Sequence, residues 1–385
     1  MREISEGPRI PPLVDWTARQ IHDPLWRLRY LQAVAPVKPK ESRWKLQRTI
    51  GLIALVALAM GATPRSSHTA GTAYVVPPAL PVLPVVRMAP VPVPIHRVAP
   101  EAAPTADVWS VEKASSLETY SNGLRIENRY AVGNRPRAYL AYSDADPDAA
   151  GGEPRTDPVG IVYHTTESLQ APFESSQNNL LKRVGESLID YVRRRRCYNF
   201  LIDRFGRVFR IVKESDAADH AGHSVWADDR YFYVNLNDSF VGISFEAQTE
   251  NATAVNEAQV RSAAMLTEML RSRYKIPGRN CVTHAQVSVN PSNMQIGYHV
   301  DWASSFPFEK LGLPDNYDVA TPAISLFGFG FDAKYTQRAG ERLAQGALTA
   351  EQGLVERARA AHLSAAAYRK ILHHRYLKIM AGNRG

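Results

Sequence analysis

The chain has 385 residues, 45% of them hydrophobic, which is ample for one large or two modest domains. Its formal net charge of +8 is unevenly spread: residues 1–48 carry ten Lys/Arg against five Asp/Glu, and residues 321–385 carry ten against four. The middle holds 26 basic and 29 acidic residues, so the basic character belongs to the tails and argues for no nucleic-acid partner.

Residues 1–48 contain several prolines and no long apolar periodicity, and they read as a basic, extended cytoplasmic segment. Residues 49–64 are uncharged between Arg48 and Arg65. A full membrane span takes about 20 apolar residues, so this stretch is a short anchor or a signal core. Arg43, Lys45 and Arg48 keep its near side inside. Either reading exports the chain beyond residue 64. Residues 65–105 form a linker, dense in Pro, Val and Ala from 76 to 104. As polyproline II at about 3.1 Å per residue, that stretch reaches on the order of 90 Å.

Folded structure is expected over 106–320. Residues 124–132 and 135–142 read as a hairpin, and 159–164 as a strand buried on both faces that ends in His164. A helix over 175–195 ends in Arg193–Arg196, a basic run that complements the helix dipole or grips an anion. Residues 198–203 and 207–212 flank a turn at Gly206, and 240–246 is another apolar strand, ending in Glu246. Asn256 and Gln259 resemble a capping box opening a helix to about Tyr274. Strands alternating with helices indicate an α/β domain: a central mixed sheet flanked by helices. Residues 321–385 read as an all-helical extension, with helices near 334–346, 350–361 and 365–380 and with Thr349 and Ser364 as N-caps.

The chemistry-bearing stretch is 281–302. His299 and Asp301 stand two apart, so in an extended segment they address the same side. A histidine and a carboxylate suit a borderline cation such as Zn²⁺, but a catalytic site takes three ligands and an open position. His284 and His164, each at a strand end, supply the remainder. Any one such histidine is more often structural; the set carries the reading. Cys197 and Cys281 adjoin strands and read as buried thiols, with a disulfide left open in an exported domain.

Taken together, residues 155–315 resemble the zinc-dependent type 2 N-acetylmuramoyl-L-alanine amidases, which share a fold with peptidoglycan recognition proteins. The motifs stand in order: 162–166 around His164, 198–206, the His-Ala-Gly loop at 220–222, 241–246, Thr283–His284, and Asp301. Two positions depart from the family. Trp302 and Ala303 follow Asp301 where Pro-Gly is usual, and His299 stands where Lys is common. That leaves His299 as the alternative third ligand to Asp301.

The resemblance implies zinc held by His164, His284 and Asp301, and hydrolysis of the amide between N-acetylmuramic acid and L-alanine in peptidoglycan. It implies Glu246 as general acid–base, and Tyr198 and His299 as donors to the tetrahedral oxyanion. His220 is expected to shape the substrate groove. Trp226 and Tyr231, with Phe232 and Tyr233, are expected in a loop, either offering ring faces to sugars or forming a satellite core. The partners expected are the glycan strand with its stem peptide and, through the N-terminal segment, the inner membrane, on the periplasmic side or secreted if that segment is cleaved. The alternatives are a non-catalytic peptidoglycan receptor on the same fold, or an amidase of soluble muropeptides.

Overall fold

The computed structural model describes residues 105–147, 151–249 and 255–382. The basic N-terminal segment, the apolar stretch at 49–64 and the Pro-rich linker lie outside the described residues. Among the described residues, no helix is long and apolar enough to cross a membrane.

The strands, in chain order, are β1 (Ser110–Lys113), β2 (Leu117–Tyr120), β3 (Arg125–Glu127), β4 (Tyr139–Ser143), β5 (Glu153–Arg155) and β6 (Gly160–Thr165). After helix α1 (Asn178–Arg195) come β7 (Phe200–Ile202), β8 (Val208–Arg210), β9 (Val225–Ala227), β10 (Tyr231–Val234), the one-turn α2 (Leu236–Ser239) and β11 (Phe240–Phe245). Helix α3 (Glu257–Tyr274), β12 (Cys281–Thr283) and the one-turn α4 (His284–Val287) complete the part that carries the site. The main sheet is mixed, with order β1-β2-β3-β8-β7-β11-β6-β12, flanked by helices as the sequence pattern implied.

The sheet is organised around β6 and β11. Every residue of both strands is buried, as expected of strands covered on both faces. They run parallel in full register from Gly160 opposite Phe240 to Thr165 opposite Phe245. β12 joins the far side of β6, also parallel, and β7 joins β11. Against this layer packs α3, whose Val260, Ala263, Leu266, Met269 and Leu270 are buried. Asn256 opens α3 with a capping box closed by Gln259, a cap worth about 1 kcal/mol.

Two expectations about the strands fail. Residues 124–132 and 135–142 do not form a hairpin: β3 joins the main sheet, while β4 joins a second sheet of order β5-β4-β10-β9. The chain between them is pulled apart by Arg137, a buried guanidinium that donates to the carbonyls of Glu214, Asp216, Asp238 and Phe240. Those bonds satisfy it without a carboxylate, and they fix this segment to the loop after β8 and to the junction of α2 and β11. Residues 225–234 are likewise strands β9 and β10 rather than loop, because their aromatic residues alternate against a core.

The C-terminal helices are α5 (Pro322–Phe327), α6 (Ala333–Arg338), α7 (Gly340–Ala360) and α8 (Ala365–Gly382). Thr349 does not cap a helix. It lies inside α7, where its hydroxyl donates to the Gln345 carbonyl one turn back. Ser364 does cap α8, accepting from the Ala367 amide at 3.2 Å. These helices share the main core: Phe327 packs edge-on against Phe232 at 5.6 Å, and Tyr376 against Phe327 and Phe329. Neither cysteine forms a disulfide.

Candidate metal centre

Three parallel strands deliver the site. β11, β6 and β12 lie side by side, so their carboxyl ends share one edge of the sheet, where α/β folds place their ligands. His164 is the fifth residue of β6 and stands opposite Ser244 of β11. Thr283 stands opposite Tyr163, so His284, the next residue, arrives beside His164, and the two rings lie 4.5 Å apart. The turn into α4 is held by Gln286, whose Oε1 accepts the Thr283 amide at 2.8 Å.

Asp301 comes in from outside the sheet. Its carbonyl accepts the Ala285 amide at 3.2 Å. The chain then turns through Trp302 at φ 59, a left-handed conformation that costs an aromatic residue of order 1–3 kcal/mol. Packing of Trp302 on Phe245 and Phe306 holds that turn, as does the Tyr317 hydroxyl, which donates to the Trp302 carbonyl at 2.8 Å. The turn thus forms here without the Pro-Gly usual in the amidases it resembles.

The donor atoms converge. Asp301 Oδ1 lies 2.9 Å from His284 Nδ1, and Asp301 Oδ2 lies 3.3 Å from His164 Nδ1. One ligand atom from each of the three residues lies within 4.8 Å of the others. A tetrahedral ion with bonds of about 2.0–2.1 Å separates its ligand atoms by about 3.3 Å, so two imidazoles and a carboxylate at these spacings fit a metal such as zinc. All three side chains are buried, and His284 Nε2 is enclosed with no hydrogen-bond partner.

The electrostatics suit a cation. Burial raises the Asp301 carboxyl, but the facing imidazoles of His284 and His164 outweigh it and hold the group well below the usual carboxylate range. Burial, helped by His284 and opposed by Asp301, lowers His164 to about 4. At neutral pH the cluster is therefore a carboxylate beside a neutral His164 imidazole, the protonation state metal binding requires.

Around the trio, Tyr198 sits at φ 62 with its ring 5.1 Å from that of His164, and burial pushes its phenol far above its ordinary range. The ring of His299 stacks on His284 at 4.5 Å and 20°, and its amide donates to Ser288 Oγ at 3.0 Å. Glu246 lies just beyond β11, on the same side as Ser244. Its Oε2 accepts the Arg204 amide at 3.2 Å, and it lines a cavity of about 550 Å³ with Gln170, Phe173, Arg204 and Phe205. Burial raises its carboxyl, against the Arg204 amide.

Three residues expected at the substrate are placed elsewhere. His220 is buried behind His164 rather than lining a groove, with its Nδ1 3.1 Å from His164 Nε2. Trp226 is a core residue, 3% exposed, whose indole N–H donates to Asn280 Oδ1, so no ring face is left for a sugar. Tyr231 is half-buried, its ring covered by the Arg155 guanidinium at 4.2 Å and its hydroxyl donating to Glu153. Sequence reasoning also passed over Ser244, fully buried and level with His164. The alternation along β11 that singles out Glu246 reaches Ser244 as well.

Residues 154–301 match the family described as N-acetylmuramoyl-L-alanine amidase. The domain these residues build belongs to the type 2 amidase family, whose fold peptidoglycan recognition proteins share. Solved structures similar to the chain include AmpDh3 from Pseudomonas aeruginosa, at 20% identity over 51% of this chain and 88% of that one, TM-score 0.34. AmiD from E. coli, solved as a complex with the substrate anhydro-N-acetylmuramic acid-L-Ala-D-gamma-Glu-L-Lys, is 18% identical over 52% and 68%, TM-score 0.32. Drosophila peptidoglycan recognition protein SD is 18% identical over 43% and 85%, TM-score 0.28. No curated protein matches the chain.

Proposed function

We propose that this chain is a zinc-dependent hydrolase cleaving the amide between the lactyl group of N-acetylmuramic acid and L-alanine in peptidoglycan. The observation that carries the reading is the buried convergence of His164, His284 and Asp301 inside the segment that matches the amidase family. A complete ligand set favours an enzyme over a receptor that only binds the wall.

Zinc in this site would lower the pKa of water toward 7 and polarise the scissile carbonyl. The protein residues do the rest. Glu246, whose carboxyl is raised by burial, takes a proton from the attacking water and delivers one to the leaving amine of L-alanine. Tyr198, whose phenol stays protonated, donates to the carbonyl oxygen as it becomes an oxyanion. His299, stacked on His284, is the second donor in this reading. The cavity beside Glu246, with the exposed rings of Phe173 and Phe205 and the Arg204 guanidinium, would receive the substrate beyond the scissile bond.

The setting is inferred from the substrate: a cell-envelope enzyme whose catalytic domain is exported, held at the membrane by residues 49–64 or released by cleavage there, with the Pro-rich segment as spacer. The experiment is digestion of purified sacculi with zinc measured on the same sample. About one zinc per chain with release of stem peptides supports the proposal. Tight sacculus binding without release moves the reading to a receptor.

A further inference from the structure

The His-Ala-Gly loop holds a histidine whose position behind the metal trio gives it a second use. We propose that His220 is a positioning residue that fixes the tautomer of His164, and so decides which nitrogen of that ring meets the metal. The inference rests on the reading of His164 as a ligand.

The chain of bonds runs in one direction. His220 Nε2 lies 3.2 Å from the carbonyl oxygen of Phe240. A carbonyl can only accept, so His220 carries its proton on Nε2 and presents a bare Nδ1. That bare nitrogen lies 3.1 Å from His164 Nε2 and accepts in turn. The proton of a neutral His164 is thereby held on Nε2, and the lone pair stays on Nδ1, the atom 3.3 Å from Asp301 Oδ2. The Phe240 carbonyl also accepts from Arg137 Nη1 at 3.0 Å, and a guanidinium cannot reverse that bond. Ligating histidines characteristically donate their other ring N–H to a fixed acceptor, and here the acceptor is a second imidazole.

The fold keeps His220 there by independent means. Asn237 Oδ1 accepts the amides of both His220 and Ala221, at 2.9 and 2.6 Å, which pins the loop. Beneath the ring is Gly242, two residues before Ser244 on β11. A Cβ at that position would lie 2.6 Å from His220 Cγ, so any other residue would displace the ring. The two imidazoles meet edge-on at 80°, the orientation in which an N–H points at a ring nitrogen.

Zinc affinity of the full chain, by competition with a coloured chelator, tests this in four proteins: wild type, H220N, H220L and H164A. Asparagine places Oδ1 where His220 Nδ1 stood and so keeps the acceptor; leucine removes it. H220L should bind zinc ~10- to 100-fold more weakly, the usual scale for losing such a partner, and H220N should stay within about threefold of wild type. The melting temperature of each zinc-free chain is read alongside, and it should be alike for H220N and H220L. Unchanged affinity in H220L, or equal losses in both His220 variants, overturns the proposal. If H164A binds zinc as wild type does, the ligand assignment itself is wrong, a failure distinct from that of His220.

Discussion

The carboxylate of Asp301 lies 2.9 Å from Nδ1 of His284, with both groups buried and His164 on the other carboxylate oxygen. In the proposed function this pair serves as ligands, and removing either member also leaves the other without its partner in a dry site. H164A or H284A should therefore lose both zinc and hydrolysis. H299A should keep zinc, since its ring stacks on His284 outside the converging trio, while turnover falls. Zinc measured by mass spectrometry on the purified variants checks both. Loss of zinc in H299A with retention in D301A would make His299 the third ligand.

The same cluster sets an acid limit. His164 is held near 4 against about 6.5 in an unfolded chain, and His220 is held well below its ordinary value, in each case chiefly by burial. Between those values the unfolded state binds more protons, so stability of the metal-free protein rises with pH across about 4 to 6.5. Asp301, depressed overall, adds a loss in the same direction as pH falls below the ordinary carboxylate range. Melting temperature of the zinc-free chain should drop on acidification through that window and flatten above pH 7. A melting temperature flat from pH 7 to pH 4 would mean that these imidazoles are not buried neutral.

Glu246 lies outside the ligand trio, so E246Q should keep zinc and fold while turnover falls by about 10² or more. Zinc content, melting temperature and rate on sacculi are measured together. A glutamate that serves only to tie the Arg204 turn through its 3.2 Å bond would lose stability along with activity, or neither. A near-wild-type rate in E246Q would contradict its role in proton transfer.

Arg137 gives a prediction on stability alone. Its guanidinium donates to four backbone carbonyls and holds the segment before β4 to the loop after β8 and to the junction of α2 and β11. R137M preserves apolar bulk but orphans those acceptors, at a cost of about 3 kcal/mol or more. Denaturant midpoints with and without the substitution read this directly. A shift under 1 kcal/mol would mean that water replaces the guanidinium.

Much of this was legible because local chemistry and fold agree. The buried apolar run before His164, the strand before His284 and the Asn256–Gln259 box each announce an element within a few residues. Asp301 was legible through its place in the order of motifs, whereas its two-residue spacing from His299 did not bring that ring into the trio. What escaped depends on contacts across the chain. Nothing near Arg137 says that it will meet carbonyls some 80 and 100 residues away and break a hairpin pattern. Trp226 and Tyr231 read equally as sugar faces or a satellite core until they take their places in strands of the second sheet. Thr349 has a cap's chemistry, but helix continues on both sides of it. His220 gains its place only when Gly242 of another strand leaves room for its ring.

The central claim is tested most directly by one product analysis. The full chain is stripped of metal, restored with one equivalent of zinc, and incubated with purified sacculi in each state, and the soluble fragments are sequenced by mass spectrometry. The account predicts no fragments from the stripped chain. The restored chain should release stem peptides with a free amino group on L-alanine and glycan carrying intact lactyl carboxylates. Equal release with and without zinc, or cleavage at any other bond, would contradict it.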